Sequence, residues 1–174
     1  MVADRGARGV TLAAIAHGSG APVGSIYHRF GSLDELLARL WLRAVRRSHA
    51  ALAPALAAGD PVQRAVRVAL AVYDFCLAER EEALLLAELS RRNLRERNLS
   101  PGLLAELDRV NEPIEGPLAE LGHALFTGDD RTRLDLALTA VIDLPYGFAR
   151  RHVDAARDLP PRGGSPSRKA CAQS

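Results

Sequence analysis

Apolar residues recur at three- and four-residue spacings along most of the chain, the pattern of amphipathic helices. The longest stripe follows Ser32-Leu33-Asp34-Glu35, which has the S-x-x-E form of a capping box that opens a helix. It predicts one long helix whose apolar face comprises residues 33, 36, 37, 40, 41, 44, 45, 52 and 56. Arg39, Arg43, Arg46 and Arg47 lie off this stripe, so we expect them on the polar face.

Prolines and glycines divide the rest of the chain. Gly59-Asp60-Pro61 combines a helix stop, a cap and a proline suited to the first helical position. The helix that follows is expected to bury Val62, Ala65, Val66, Ala69, Leu70, Tyr73 and Leu77. Further helices are predicted over residues 80–96, from Ser100 to Phe126, and from the turn at residues 127–130 to about Val153. We expect Pro113 and Pro117 to kink or split the second of these, and Pro145 to bend the last.

The composition supports an all-α protein. Alanine and leucine account for 57 of the 174 residues, whereas aromatic residues make up only 5%. The longest uncharged apolar-rich run, Ala50–Ala58, is far shorter than the roughly 18 residues that a membrane span needs. The first nine residues lack the apolar region of a secretory signal, and Cys76 and Cys171 suit no disulfide framework. We therefore expect a cytoplasmic protein without a membrane partner.

The net charge of +2 is unevenly distributed. Residues 1–50 contain seven arginines and three acidic residues, for a net charge of +4, and the remainder carries −2. A basic N-terminal third on an acidic body suggests an anion-binding head. A solvated helix face has the same composition, so charge alone does not decide between the two.

Two short helices are predicted ahead of the long one, separated by the small residues Gly18-Ser19-Gly20. The first covers Thr11–His17, and the second begins near Pro22 and carries Val23, Ile26, Tyr27 and Phe30 at helical spacing. Such a pair across a tight turn is typical of a helix-turn-helix, in which Gly24 and Ser25 let the second helix approach the major groove. Two packing helices of an ordinary bundle have the same spacing, so both interpretations stand at this point.

The stretch TLAAIAHGSGAPVGSIYHRFGSLDELL, from Thr11 to Leu37, resembles the DNA-binding head of the tetracycline-repressor (TetR) family. About ten positions match that family's pattern in order. The resemblance implies a homeodomain-like helix-turn-helix head followed by a helical ligand and dimerisation bundle. It also implies double-stranded DNA, a small-molecule effector and a second copy of the chain, in a homodimer, as partners.

The resemblance assigns roles to individual positions. Thr11 and the aromatic pair Tyr27 and His28 are expected to contact phosphates, with Phe30 as the core anchor beneath them. Five residues are expected to face base edges, namely Ala21, Pro22, Val23, Gly24 and Ser25.

The sequence departs from the family pattern in three respects. Leu33 stands where a phosphate-binding lysine is usual, and Pro22 replaces a usual serine. Only ten residues precede Thr11, so we expect the helix before the motif to be truncated, and the C-terminus to lack a last amphipathic helix. The expected domains are a DNA-binding head at 1–47, a regulatory and dimerisation body at 48–158 and a disordered tail at 159–174.

Seven residues of the body are candidates for lining an effector pocket, because they mix apolar and polar character on predicted helices. They are Tyr73, Cys76, Leu107, Asn111, His123, Phe126 and Tyr146. The alternative is that each belongs to the bundle core or its surface. The five histidines show no metal-ligand spacing and no catalytic motif is present, so we expect neither an enzyme, nor a metal, nor a cofactor.

These observations predict a TetR-type transcriptional regulator, a repressor released from a palindromic operator by a small-molecule effector. The alternative hypothesis is a truncated helical protein that keeps the helix-turn-helix as a relic and does not bind DNA specifically.

Overall fold

The structure, a computed structural model, describes residues 31–57 and 59–154. Both short helices predicted at the N-terminus and the tail at 159–174 lie outside the described residues. Every regular element in the described part is a helix, which confirms the all-α prediction. The elements are α1 (Leu33–Leu56), α2 (Pro61–Ala78), α3 (Arg80–Glu88), α4 (Arg91–Arg95), α5 (Pro101–Arg109), α6 (Glu112–Leu125), α7 (Asp130–Leu138), a π-helical segment (Thr139–Asp143) and α8 (Leu144–Asp154).

Helix α1 is the predicted long helix, and it begins where the sequence places its cap. The Ser32 hydroxyl accepts a hydrogen bond from the Glu35 backbone N–H at 3.1 Å. The predicted apolar stripe is largely buried, from Leu36 and Leu37 to Leu56. The four off-stripe arginines lie on the other face and pair with acidic side chains, among them Arg47 with Glu82 at 2.7 Å.

The helix predicted over residues 80–96 is interrupted. Leu89 adopts an extended backbone conformation, which ends α3, and its side chain is buried. Ser90 then caps α4: its hydroxyl accepts from the Asn93 backbone N–H at 3.1 Å, and the Asn93 side-chain Oδ1 accepts from the Ser90 backbone N–H at 3.3 Å. The break leaves the Leu89 carbonyl free to accept a hydrogen bond from the Trp41 indole at 2.9 Å.

The prolines affect their helices in three different ways. The pattern from Ser100 to Phe126 splits between α5 and α6, ahead of Pro113 in the first turn of α6, whereas Pro117 stays inside that helix. Pro145 has no N–H to give to the carbonyl four residues earlier, and a π-helical segment precedes it. There the Leu144 N–H bonds to the Thr139 carbonyl, so the expected bend takes the form of a π-bulge.

Among residues 31–57 and 59–154, the buried apolar side chains form three clusters. The first packs α1 against α3, α4 and α5 around Trp41, Leu94 and Leu107. The second joins the end of α1 to α2, α6 and the π-helical segment through Val68, Leu121 and Val141, among others. The third surrounds Cys76 and Ala149. Helix α1 contributes to both large clusters, so it connects its N-terminal end to the rest of the bundle.

The predicted buried face of α2 is wrong. Val62 and Val66 are 58% and 48% exposed, and Leu70 and Leu77 are also exposed, whereas Val68, Val72, Phe75 and Cys76 are buried. Helix α2 is apolar around most of its circumference, so its sequence offers two stripes and the packing against α1 and α6 selects one. Leu136 of α7 and Leu144 and Phe148 of α8 are exposed as well. We call these seven side chains the exposed apolar face: Val62, Val66, Leu70, Leu77, Leu136, Leu144 and Phe148.

Candidate functional site

The eight predicted DNA-contacting residues lie outside the described residues. They are Thr11, Ala21, Pro22, Val23, Gly24, Ser25, Tyr27 and His28. What the structure describes is the start of α1, which follows this segment after the left-handed Gly31 (φ 74°) and the Ser32 cap.

Polar contacts attach the first turn of α1 to the body. Arg97 pairs with Asp34 at 2.6 Å, and the Ser100 backbone N–H donates to the Glu35 carboxylate at 3.0 Å. Hydrogen bonding to Ser100 is the main reason that the pKa of Glu35 is lowered. Glu35 thus serves a tertiary contact between helices instead of completing the capping box. Sequence reasoning treated Glu35 only as a cap and did not single out Asp34 or Arg97.

Three of the seven predicted pocket residues come together in the third core cluster: Tyr73, Cys76 and Tyr146. The Tyr146 hydroxyl donates to the Ala83 carbonyl at 2.7 Å, which satisfies the phenol inside the bundle. Cys76 is 1% exposed, and burial raises the pKa of its thiol to about 11. These side chains pack as core.

The other four predicted pocket residues are placed elsewhere. Leu107 is fully buried in the first cluster. Asn111 precedes α6, and Phe126 follows its last residue. His123 is exposed near the end of α6, where its Nδ1 lies 2.7 Å from Arg133 and its Nε2 lies 3.4 Å from Asp130. The seven residues therefore lie in different parts of the bundle, and an effector-binding role for any of them stays a prediction.

A cleft of about 520 Å³ opens between α1 and the segment that joins α5 to α6. We call it the α1–α5 cleft. Its apolar lining is aliphatic, and its polar lining holds two arginines, one histidine and one glutamate. The complete lining is Arg46, His49, Ala50, Ala53, Glu106, Arg109, Val110, Pro113 and Ile114.

The polar groups of the α1–α5 cleft differ in their pairing. Arg46 forms an ion pair with Glu106 at 2.7 Å, so these two charges compensate each other. Arg109, in the last turn of α5, has no ion-pair partner among the residues that the structure describes. His49 is half-buried, and this burial lowers its pKa, which favours the neutral imidazole.

Sequence reasoning missed the α1–α5 cleft, although part of the signal was present. Arg46, His49, Ala50 and Ala53 follow the i, i+3, i+4, i+7 spacing, so they share one face of α1. Of these four residues, the sequence pattern assigned only Arg46, to the polar face of α1. Its partner residues on α5 and α6 are about 60 positions away, and no local pattern joins them.

Across residues 31–57 and 59–154, no helix has both the length and the apolar character needed to cross a membrane.

Comparison with known proteins identifies the N-terminal segment. The family of bacterial regulatory proteins called the tetR family has a model that matches residues 1–40. The match covers the predicted helix-turn-helix and continues into the first two turns of α1. No curated protein matches the chain. Residues 1–40 therefore match the segment that characterises the tetR family, and this match supports a TetR-type DNA-binding transcriptional regulator.

Proposed function

We propose that this regulator is a repressor that binds a palindromic operator as a homodimer and leaves it when a small molecule binds the body. The observation that carries the proposal is the match of residues 1–40 to the tetR family, continuous with a helix that enters the core of an all-α body. In a two-fold dimer the two recognition helices would enter successive major grooves, about 34–36 Å apart. The operator is then a near-palindrome.

Within the head, the proposed contacts have two roles: some position the protein on the DNA backbone, and others recognise the base sequence. Thr11, Tyr27 and His28 hold the phosphate backbone, which fixes the register of the head without reading sequence. The recognition helix, from Ala21 to Ser25, presents a thin face to the base edges. Gly24 and Ser25 carry little side-chain volume, so the backbone of the helix approaches the groove closely.

The proposed domains are the head at 1–47, the body at 48–158 and the tail at 159–174. Helix α1 spans the boundary at residue 47, and it packs in both large core clusters. An effector that binds better to a dimer with wrongly spaced heads shifts the population away from the DNA-bound form. By linkage, the effector weakens DNA binding by the same factor as DNA weakens effector binding.

The test is a mobility shift of the full chain on the DNA upstream of its own reading frame, followed by selection of preferred sites. We expect a specific complex whose association constant falls by about 0.9 log units per tenfold rise in salt for each phosphate neutralised. Tyr27→Ala should weaken binding to all sequences alike. Val23→Ala and Ser25→Ala should instead change the selected motif.

Each part of this test can fail by itself. Unchanged affinity in the Tyr27→Ala variant would remove the phosphate assignment, and an unaltered motif in both reading variants would remove base readout at positions 23 and 25. Equal binding to operator and random DNA would support the relic hypothesis instead.

A further inference from the structure

We propose that the α1–α5 cleft is the effector site of this regulator and that it selects an amphipathic anion, a carboxylate with an aliphatic body. The effector role of this site rests on the function proposed above, because an effector is defined by its influence on DNA binding. The binding of such an anion to the cleft does not depend on that function, because it follows from the side chains that line the cleft.

The size and position of the cleft fit a regulatory small molecule. At about 520 Å³, it lies within the range of roughly 300–1,000 Å³ that is usual for ligand pockets. One wall is α1, whose first two turns belong to the family match, and the opposite wall is the junction of α5 and α6. A ligand between these walls contacts the helix that leads directly to the head.

The charges of the lining indicate an anion. Arg46 and Glu106 neutralise each other at 2.7 Å, whereas Arg109 has no acidic partner among the described residues, so the lining carries one uncompensated positive charge. His49 adds a ring nitrogen with no hydrogen-bond partner within the described part of the chain, and the neutral imidazole can donate to a carboxylate oxygen. A guanidinium and an imidazole N–H together form a receptor for one carboxylate group.

The remaining lining indicates the body of the ligand. Ala50, Ala53, Val110, Pro113 and Ile114 are all aliphatic, and no aromatic side chain is present in the lining. Val110 is buried and Ile114 is half-buried, so the floor is apolar and already packed. An alkyl chain that covers this floor binds more tightly, because the favourable free energy of burial is proportional to the apolar area removed from water.

The experiment uses the full chain and three probes that share one alkyl chain: decanoate, the neutral decanamide and the cationic decylamine. We expect calorimetry to show one decanoate bound per chain, with decanamide weaker and decylamine not bound. Arg109→Gln should weaken decanoate binding about tenfold or more and leave decanamide unchanged, because only the ionic contact is lost. Arg131→Gln, which removes an arginine 93% exposed on α7, is the matched control and should bind as the native chain does.

A second variant locates the binding. Ala53→Phe adds bulk to an exposed position of the cleft wall, and we expect it to abolish decanoate binding while the helical circular dichroism is retained. Binding that survives this variant would place the probe on another surface, such as the exposed apolar face, and would overturn the proposal. Equal binding of all three probes would overturn the anion selectivity, and binding of none would overturn the site.

A mobility shift with the same probes separates this inference from the proposed function. Release of operator DNA by decanoate and not by decylamine supports the effector role. Decanoate bound in the cleft without any effect on an otherwise specific DNA complex would overturn that role. If no specific DNA complex forms with any form of the protein, the repressor function fails while the calorimetric result still decides the ligand chemistry of the cleft.

Discussion

Trp41 is the residue at which the interrupted helix and the core meet. Its indole N–H donates to the Leu89 carbonyl in a buried hydrogen bond. Because α3 ends just before Leu89, this carbonyl has no partner within the helix. Trp41→Phe removes this donor from a buried carbonyl, and we expect it to lower the free energy of unfolding by about 1–3 kcal/mol. Urea denaturation followed by circular dichroism measures the loss. An unchanged midpoint would mean that water replaces the donor at no cost.

His49 is expected to make stability depend on pH. Burial lowers its pKa in the folded state, so between that lowered value and about 6.5 the unfolded chain binds more protons. The free energy of unfolding should therefore fall as the pH falls from about 6.5 through this window, and stay constant with respect to His49 above it. The charged side chains that line the same cleft as His49 are Arg46, Glu106 and Arg109.

The measurement for His49 compares urea midpoints of the native chain and His49→Leu between about pH 5 and pH 8. The variant should show a smaller decline on the acid side and the same slope at neutral pH. A decline of equal steepness in both proteins would show that other groups cause it.

At the scale of the elements, Gly122 allows α6 and α7 to pack closely. A Cβ at this position would lie 2.7 Å from the Arg133 backbone carbonyl oxygen, a distance that only movement of a helix can relieve. We expect Gly122→Ala to lower the free energy of unfolding by about 1–3 kcal/mol, since the backbones must separate. Thermal or urea unfolding measures the change.

Gly116 supplies the matched control in the same helix. A Cβ there meets nothing within 4 Å, so Gly116→Ala should raise the free energy of unfolding by about 0.5–1 kcal/mol through helix propensity alone. If the two alanine variants have the same stability, close packing at Gly122 is not what holds α6 against α7.

Across the whole molecule, all large apolar side chains that are exposed in the described part lie on α2, α7 and α8. An aromatic contact, with ring centroids of Tyr73 and Phe148 6.2 Å apart, joins α2 to α8 within this region. Helices α2 and α8 pack against each other, and exposed apolar surface on adjacent helices marks sites of association. Homodimer interfaces are also more apolar than the rest of a protein surface. The exposed apolar face is therefore where we expect the second copy of the proposed homodimer to pack.

This assignment predicts that a charge in the face dissociates the dimer. Leu70→Glu and Phe148→Glu should each shift the mass measured by light scattering from two chains toward one, because a carboxylate buried there has no partner. Asn98→Glu adds the same charge at an exposed position between α4 and α5, on none of the helices that form the exposed apolar face, and should leave the mass unchanged. A monomeric native chain, or dimers in both face variants, would contradict the assignment.

Local chemistry explains which parts of this fold could be predicted from sequence. Helix starts are set by side chains that bond to the backbone three residues ahead, and the predicted caps are present: Asp60 accepts from Gln63 at 2.9 Å and Asp129 from Thr132 at 2.8 Å. The break at Leu89 escaped prediction because no proline or glycine marks it. Its extended backbone is stabilised by burial of the side chain and by Trp41, 48 positions away.

The sequence by itself determined the all-α class, most helix starts and the resemblance of the first 40 residues to the tetR family, because each depends on residues that are neighbours along the chain or follow one contiguous motif. The tertiary structure decided which stripe of α2 is buried, where Glu35 finds its partner, and that Arg46 and His49 face Arg109 across a cleft. Those outcomes depend on helices that meet from distant parts of the sequence. An amphipathic pattern predicts that one face of a helix is buried, but only the assembled bundle determines which residues pack against that face.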